Sequence, residues 1–202
     1  MEIEIYADIV CPWCWIGERR LFQALSSVPE EGLSVRWRAF QLEPNARSEG
    51  TPLVEWLGNR YGGETTARRM IDRVTQVARG EDLTMNFDKA IAANTFDAHR
   101  LVWKAYEAGV QREMVEALHK AHFADGLDLG SPEVLSSIAL NLGVPDIAAT
   151  DEGVEDVRAD LALGRELGVT GVPMFVFNGR YALSGAQDPE TFREAFELLE
   201  RG

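Results

Sequence analysis

The stretch "DIVCPWCWIG", residues 8 to 17, holds both cysteines of this 202-residue chain, Cys11 and Cys14. A thiolate is the nucleophile in disulfide exchange, and it is favoured at a helix N-terminus, where unpaired N–H groups and the positive end of the dipole lie. Cys11 stands at such a start. Cys14, about one helical turn further on, is placed to attack a mixed disulfide formed on Cys11 and to release the substrate. Pro12 lacks an N–H and pre-sets φ for the first turn, where the missing donor costs little. Trp13 cannot accept a hydrogen bond from a thiol and offers a flat apolar surface beside the sulfur.

A buried structural disulfide and a zinc half-site are the other readings of the pair. Zinc needs about two further ligands, and the chain's histidines are His99, His119 and His122. His119 and His122, at i and i+3 on a helix, could complete a site. His122, however, shares a face with Val115 and Leu118 and reads as a satisfied core histidine. No metal and no bound cofactor are expected.

Composition narrows the partners. Asp and Glu outnumber Lys and Arg by 33 to 20, the formal charge is -13, and no basic run could track phosphates or an anionic membrane. The opening "MEIEIYAD" places acids where a secretory signal carries basic residues, and no run of about 18 apolar residues could span a bilayer. The expected location is the cytoplasm, with neither nucleic acid nor membrane as partner. Thiols there are mostly reduced, so a close pair is more often catalytic or metal-binding than a staple.

The elements around the cysteines follow from periodicity. Ile3, Ile5 and Ala7 alternate with polar residues as in a half-buried strand, and Leu21, Phe22, Leu25 and Val28 mark one helix face ending near Pro29. "LSVRWRAF" places Val35, Trp37 and Ala39 on one face of a second strand. From Thr51 to Gly143 the period is helical: Thr51 as N-cap before Pro52, a stripe of Ala67, Met70, Ile71, Val74, Val77 and Ala78, helices over 94–108 and 112–124, and one opened by Ser131-Pro132 and closed by Gly143. A long helix with Val154, Val157, Leu161 and Leu167 then stops at Gly168. Met174 to Phe177 reads as a strand covered on both faces, Asn178-Gly179 as a type I′ hairpin turn, 180–184 as the returning strand, and Asp188-Pro189-Glu190 as the cap of a last helix.

Strand, Cys-x-x-Cys, helix and strand make a βαβ unit, and strand, turn, strand and helix make a ββα unit. A Cys-x-x-Cys beside a βαβ pattern reads as thioredoxin-like, which predicts that Pro173 in "TGVP" is a cis proline packed against the cysteines. Gly171 would ease a tight approach there. The backbone of Val172 could pair with an extended substrate or glutathione as an added strand.

The stretches "DIVCPWCWIG", "VRWRAFQLEP", "NTFDAHRL" and "LGVTGVPMFVFNGRYALSGAQ" together resemble the DsbA-like oxidoreductases of the thioredoxin superfamily, most closely the FrnE type. The resemblance implies an α/β thioredoxin fold with an α-helical insertion: a thioredoxin-like domain from residues 1–45 and 149–202 and a helical subdomain over 46–148. It implies Cys11 as attacking thiol, Cys14 as resolving thiol and Pro173 as the cis proline, with thiol-disulfide oxidoreductase or isomerase activity on protein or small-molecule thiols and disulfides. Glutathione would be a thiol co-substrate, and a homodimer stays open. The same branch is similar to kappa-class glutathione transferases and 2-hydroxychromene-2-carboxylate isomerases, which carry serine where this chain has Cys11; that alternative makes Cys11 an activator of bound glutathione. In "NTFDAHRL", Ala98, Leu101, Val102 and Ala105 form the buried stripe. His99 is left on a flank, either to shuttle a proton or stabilise the Cys11 thiolate, or to anchor the insertion by hydrogen bonding.

Overall fold

The computed structural model describes residues 1–201. In β1 (Glu2–Ala7) the alternating Ile3, Ile5 and Ala7 point to one face and are buried, as a strand period of two requires. The chain crosses over through α1 (Pro12–Leu25) and returns in β2 (Ser34–Ala39), parallel to β1 with Ile5 opposite Trp37. β3 (Met174–Phe177) runs antiparallel on the other side of β1, with Phe175 opposite Ile5, and β4 (Tyr181–Ser184) completes the order β2-β1-β3-β4.

Asn178 and Gly179 have φ of 49° and 62°, and the Arg180 N–H donates to the Phe177 carbonyl at 3.0 Å. Two successive positive φ values are what the Asn-Gly pair predicts. Phe177 pairs with Tyr181, so the returning strand starts one residue later than expected. In β3 only Phe175 and Phe177 are fully buried; Met174 and Val176 are half-buried, so its second face is partly covered.

Between β2 and β3 lie α2 (Leu53–Arg60), α3 (Glu64–Gly80), α4 (Phe96–Glu107), α5 (Gln111–Lys120), a π-helical turn (Ala121–Asp125), α6 (Pro132–Asn141) and α7 (Val154–Glu166); α8 (Pro189–Arg201) follows β4. Ser131 caps α6 as expected, its hydroxyl accepting from the Val134 N–H at 3.3 Å. Thr51 does not cap α2. Thr51 to Leu53 instead pairs with 90–92: the Thr51 carbonyl accepts from Ala92 at 2.9 Å and Leu53 donates to Ala90 at 2.8 Å. The helix expected over 112–124 widens at Ala121 into the π turn and stops at Gly126, whose φ is 72°. In the α3 stripe Ala67, Val74 and Ala78 are buried, whereas Met70 is 44% exposed.

Two helices cover one face of the sheet, with Leu21 and Ala24 of α1 and Phe192 and Phe196 of α8 packed on Ile3, Ile5, Phe175 and Phe177. α7 lies on the other face, where Asp160 meets Arg38 at 2.8 Å. The far side of α1 is buried as well: Trp15 and Ile16 enter a second core with Leu53, Val74, Phe87 and Phe123. Gln111 of α5 fastens the helices to the edge strand, accepting from the Trp37 N–H at 2.9 Å and donating to the Trp37 carbonyl at 3.2 Å. A βαβ unit and a ββα unit thus share one sheet, with helices inserted between them: a thioredoxin fold with a helical insertion, as expected.

Candidate active site

Cys11 is the N-cap of α1 with Pro12 following it, and its side chain makes no capping bond to the first turn. Its backbone N–H donates to the Asp8 carbonyl at 3.0 Å, and Cys14 N–H donates to the Cys11 carbonyl at 3.0 Å, so a tight turn delivers the pair onto the helix. Both thiols are free. Cys11 is 4% exposed and Cys14 0%. Burial first, then the Cys11 thiol and the Glu18 carboxylate, hold the Cys14 thiol well above the ordinary cysteine range. Both thiols are buried, and burial makes the Cys14 thiol hard to ionise.

The Val172–Pro173 bond is cis, as the motif predicts. The Cys11 thiol donates to the Val172 carbonyl at 3.8 Å. Among the described residues, a Cβ at Gly171 would meet no atom within 4 Å beyond its own chain neighbours, so that glycine is not required by packing there. Gly17 is the glycine that permits the approach: a Cβ there would stand 3.0 Å from Pro173 Cγ.

Pro12 and Trp13 line an apolar cavity of about 220 Å³ that reaches Cys11 and is walled by Leu53, Trp56 and Leu57 of α2 and Met70, Ile71 and Val74 of α3. The charged residue on its wall is Glu43, which is paired with Arg60 at 2.7 Å. These helical residues were read from the sequence only as an amphipathic stripe; the exposure of Met70 on that stripe is what distinguishes a cavity wall from core.

Asp8 is 1% exposed, and its carboxylate accepts from the Leu42 N–H at 2.7 Å. His99 Nε2 lies 2.9 Å from the Phe40 carbonyl and 3.3 Å from Asp8 Oδ1. A carbonyl can only accept, so Nε2 carries the hydrogen. The structure thus places His99 against the Asp8 turn that carries Cys11, one residue removed from the thiols.

Two further buried groups meet beside α1: Glu18, which the sequence reading did not single out, and His119, which it weighed only as a zinc ligand. Glu18, 5% exposed, is at i+4 from Cys14 and i+7 from Cys11, which puts all three on one face of α1. That spacing was visible in the sequence. His119 of α5, fully buried, stacks on Trp15 at 5.8 Å between ring centres and approaches Glu18 Oε2 with its Nε2 at 3.5 Å. His122 in the π turn is also fully buried, but neither ring nitrogen has a partner, so it is not the satisfied core histidine expected. Burial and the neighbouring His119 push it down to about 4. Among the described residues no cluster of three or more His, Cys, Asp or Glu side chains is arranged to hold a metal, and no helix is long and apolar enough to cross a membrane.

The sequence matches the family described as DSBA-like thioredoxin domain over residues 2–197. The fold is similar to that of the probable DsbA oxidoreductase SCO1869 of Streptomyces coelicolor, with a TM-score of 0.91, 32% identity and coverage of 98% of this chain and 89% of that one. It is also similar to the cytosolic disulfide reductase DsbM of Pseudomonas aeruginosa, at a TM-score of 0.69 and 20% identity over 100% and 99% of the two chains. DsbM has also been solved with glutathione. The uncharacterized protein YwbO of Bacillus subtilis (strain 168) is 21% identical over 96% of this chain and 95% of its own. With its cysteine pair at the head of α1 and its cis proline beside it, the chain belongs to the DSBA-like thioredoxin domain family.

Proposed function

We propose that this protein is a thiol-disulfide oxidoreductase that cycles Cys11 and Cys14 between dithiol and disulfide. The observation that carries the reading is the placement of the pair: Cys11 caps a helix N-terminus with its thiol 3.8 Å from the Val172 carbonyl beside the cis proline, and Cys14 is fully buried in the first turn of the same helix. As a thiolate, Cys11 attacks a disulfide R–S–S–R′, forming Cys11–S–S–R and releasing R′–S⁻. Cys14 then attacks Cys11, the bond to R breaks, and R–S⁻ leaves. The substrate disulfide gains the two electrons that the dithiol loses, and the reverse sequence oxidises a substrate dithiol.

Glutathione or a protein thiol serves as the partner in this scheme, a reading supported by the similarity to DsbM and its glutathione-containing structure. The apolar walls around Cys11 favour substrates that carry an apolar group next to the sulfur. A cytoplasmic location suits a protein whose two cysteines work as thiols.

The test is to trap the intermediate. Cys14→Ser should accumulate mixed disulfides on Cys11, read by mass after incubation with oxidised glutathione or a thiol-containing extract, and Cys11→Ser should accumulate none. A Cys14→Ser variant that captures no thiol partner would overturn the assignment. The cavity beside Cys11 also favours a second reading: a glutathione-dependent isomerase or transferase of the kappa-class or 2-hydroxychromene-2-carboxylate isomerase type, in which Cys11 polarises the glutathione sulfur. Under it Cys14→Ala keeps full activity on a small apolar electrophile, whereas disulfide exchange requires Cys14.

A further inference from the structure

The exchange scheme fixes neither the size nor the charge of the group that enters the cavity beside Cys11. An apolar cavity of about 150 Å³ holds one benzene ring. At about 220 Å³, the cavity here has room for a ring with a short substituent, and its walls include Trp13, Leu53, Trp56, Leu57, Ile71 and Val74. Cys11 lines the same space and is 4% exposed, so a substrate sulfur meets it through an opening of that size. Leu42, Tyr61 and Met70 line the cavity and are also exposed to solvent, which places them at its mouth.

We propose that the substrate of Cys11 is a small neutral disulfide or thiol bearing one ring-sized apolar group, which the cavity receives. The proposal rests on the disulfide-exchange reading and narrows its substrate from proteins and charged peptides to small molecules. Glu43 is the charged side chain on the wall among the described residues, and Arg60 already holds it at 2.7 Å. A carboxylate of glutathione or cystine entering there would lose its hydration and meet no cation in return. A protein disulfide brings flanking peptide groups, whose N–H and C=O would face the same apolar walls unpaired. An uncharged ring gives up no such hydration and gains the burial of its surface. Glutathione reacts with its charged arms left at the mouth and gains nothing from the cavity. In the step itself the Cys11 thiolate attacks R–S–S–R and the Cys11–S–S–R bond forms. The other R–S⁻ leaves with the electron pair of the broken bond and takes a proton from solvent. Cys14 then closes the disulfide and releases the R group held in the cavity as R–S⁻.

The loop after β2 that carries Leu42 and Ala46 onto the wall is fastened at both ends. The Asp8 carboxylate accepts from the Leu42 N–H at 2.7 Å, while the Asp8 carbonyl accepts from the Cys11 N–H at 3.0 Å, so one residue fixes both the wall and the nucleophile. The Asn94 side-chain amide donates to the carbonyls of Pro44 at 3.1 Å and Ala46 at 3.0 Å, and the Asn94 N–H donates to Ser48 Oγ at 3.0 Å. The cavity is therefore preformed, as small-molecule sites usually are. Ala46, half-buried on its wall, is the position from which a larger side chain fills it.

The experiment uses the full chain carrying Cys14→Ser and follows by mass the Cys11 adducts formed with dibenzyl disulfide and with glutathione disulfide. Each rate is divided by that of the same disulfide with free mercaptoethanol. On this scale dibenzyl disulfide should react about tenfold faster than glutathione disulfide, or more. Thioanisole, a neutral ring that cannot exchange, should slow the dibenzyl reaction saturably, whereas phenylthioacetate, with the same ring and one carboxylate, should not. Adding Ala46→Phe should bring the ratio of the two disulfides to about one; if that variant does not fold, the thioanisole competition tests the same point. A ratio of about one without Ala46→Phe, a ratio unmoved by it in the folded variant, or thioanisole competing no better than phenylthioacetate overturns the proposal while leaving the exchange reading intact. Absence of any Cys11 adduct with either disulfide overturns both.

Discussion

Gly17 lies directly under Pro173. A Cβ at Gly17 would stand 3.0 Å from Pro173 Cγ, 3.1 Å from Phe175 Cζ and 3.3 Å from Ala186 Cα, so α1, β3 and the loop after β4 converge on a single hydrogen atom. The Pro173 carbonyl is tied in turn to the Gly185 N–H at 2.8 Å. An added methyl has backbone on one side and a ring on another, and little there can yield. Gly17→Ala should gain about 1 kcal/mol of helix propensity and lose about 1–3 kcal/mol to overpacking, for a net loss of about 1 kcal/mol. It should also slow the reaction of Cys11 with a model disulfide, because Val172 moves with Pro173. Chemical denaturation and exchange kinetics check both, and a stabilised variant with unchanged kinetics would show that the loop gives way freely.

His122 makes the fold sensitive to mild acid. In the unfolded chain its pKa is 6.5, while in the folded protein burial and the adjacent His119 hold it at about 4. The folded state therefore disfavours the charged ring: its full stability is present above pH 6.5 and is lost as pH falls toward 4, where both states become protonated. The gap between 6.5 and about 4 is worth about 3 kcal/mol, at about 1.4 kcal/mol per pKa unit. His122→Leu replaces two unpartnered ring nitrogens with apolar atoms, and its unfolding free energy should fall about 3 kcal/mol less than that of wild type over this range. Parallel urea titrations at several pH values measure the difference; equal slopes for the two proteins would contradict it.

Met70 governs what lies beside Cys11. It is 44% exposed and forms part of the cavity wall, so a charge placed there stays hydrated and costs the fold within about 0.5 kcal/mol. The same charge opposes an apolar group in the cavity. Met70→Glu should lower the rate with an uncharged aromatic disulfide about tenfold relative to cystine, on the scale by which apolar pockets discriminate. A constant ratio between the two substrates would mean that they reach Cys11 by another route.

Local signals carried much of this structure. The alternation in Ile3, Ile5 and Ala7, the Asn178-Gly179 turn and the Ser131 cap depend on neighbours within a few residues, and each formed as read. What depended on distant chain was less legible. Thr51 has the residue type of an N-cap, yet the pairing of 51–53 with 90–92 takes its place. Trp15 and Ile16 lie outside the stripe of α1 because the helix is buried on two sides, and nothing local announces the second partner. Within the site, the cysteines and Pro173 were marked by spacing and by the strand–cysteine–helix order. The Glu18 position was readable from i+4 spacing, but its meeting with His119 joins residues about a hundred positions apart and exists only in the folded chain.

Arg100, the neighbour of His99 in "NTFDAHRL", shows what else that segment does. It is 4% exposed, and its guanidinium donates to the carbonyls of Glu152 at 2.8 Å, Ile147 at 3.0 Å and Thr150, and to Asp97 Oδ1 at 2.8 Å. Those carbonyls belong to the segment that brings the chain out of the inserted helices into α7, whose Asp160 holds Arg38 of β2. A lysine ammonium reaches one or two of these acceptors at a time and lacks the planar fork that serves them together. Arg100→Lys should therefore lose about 2–4 kcal/mol, the order expected when buried carbonyls lose a charged donor. Hydrogen exchange localises the effect: amides of 150–157 should exchange faster while those of β1 and β3 change only with global stability. Uniform acceleration throughout the chain would show that the return segment has no local opening of its own, and that Arg100 acts on the fold as a whole.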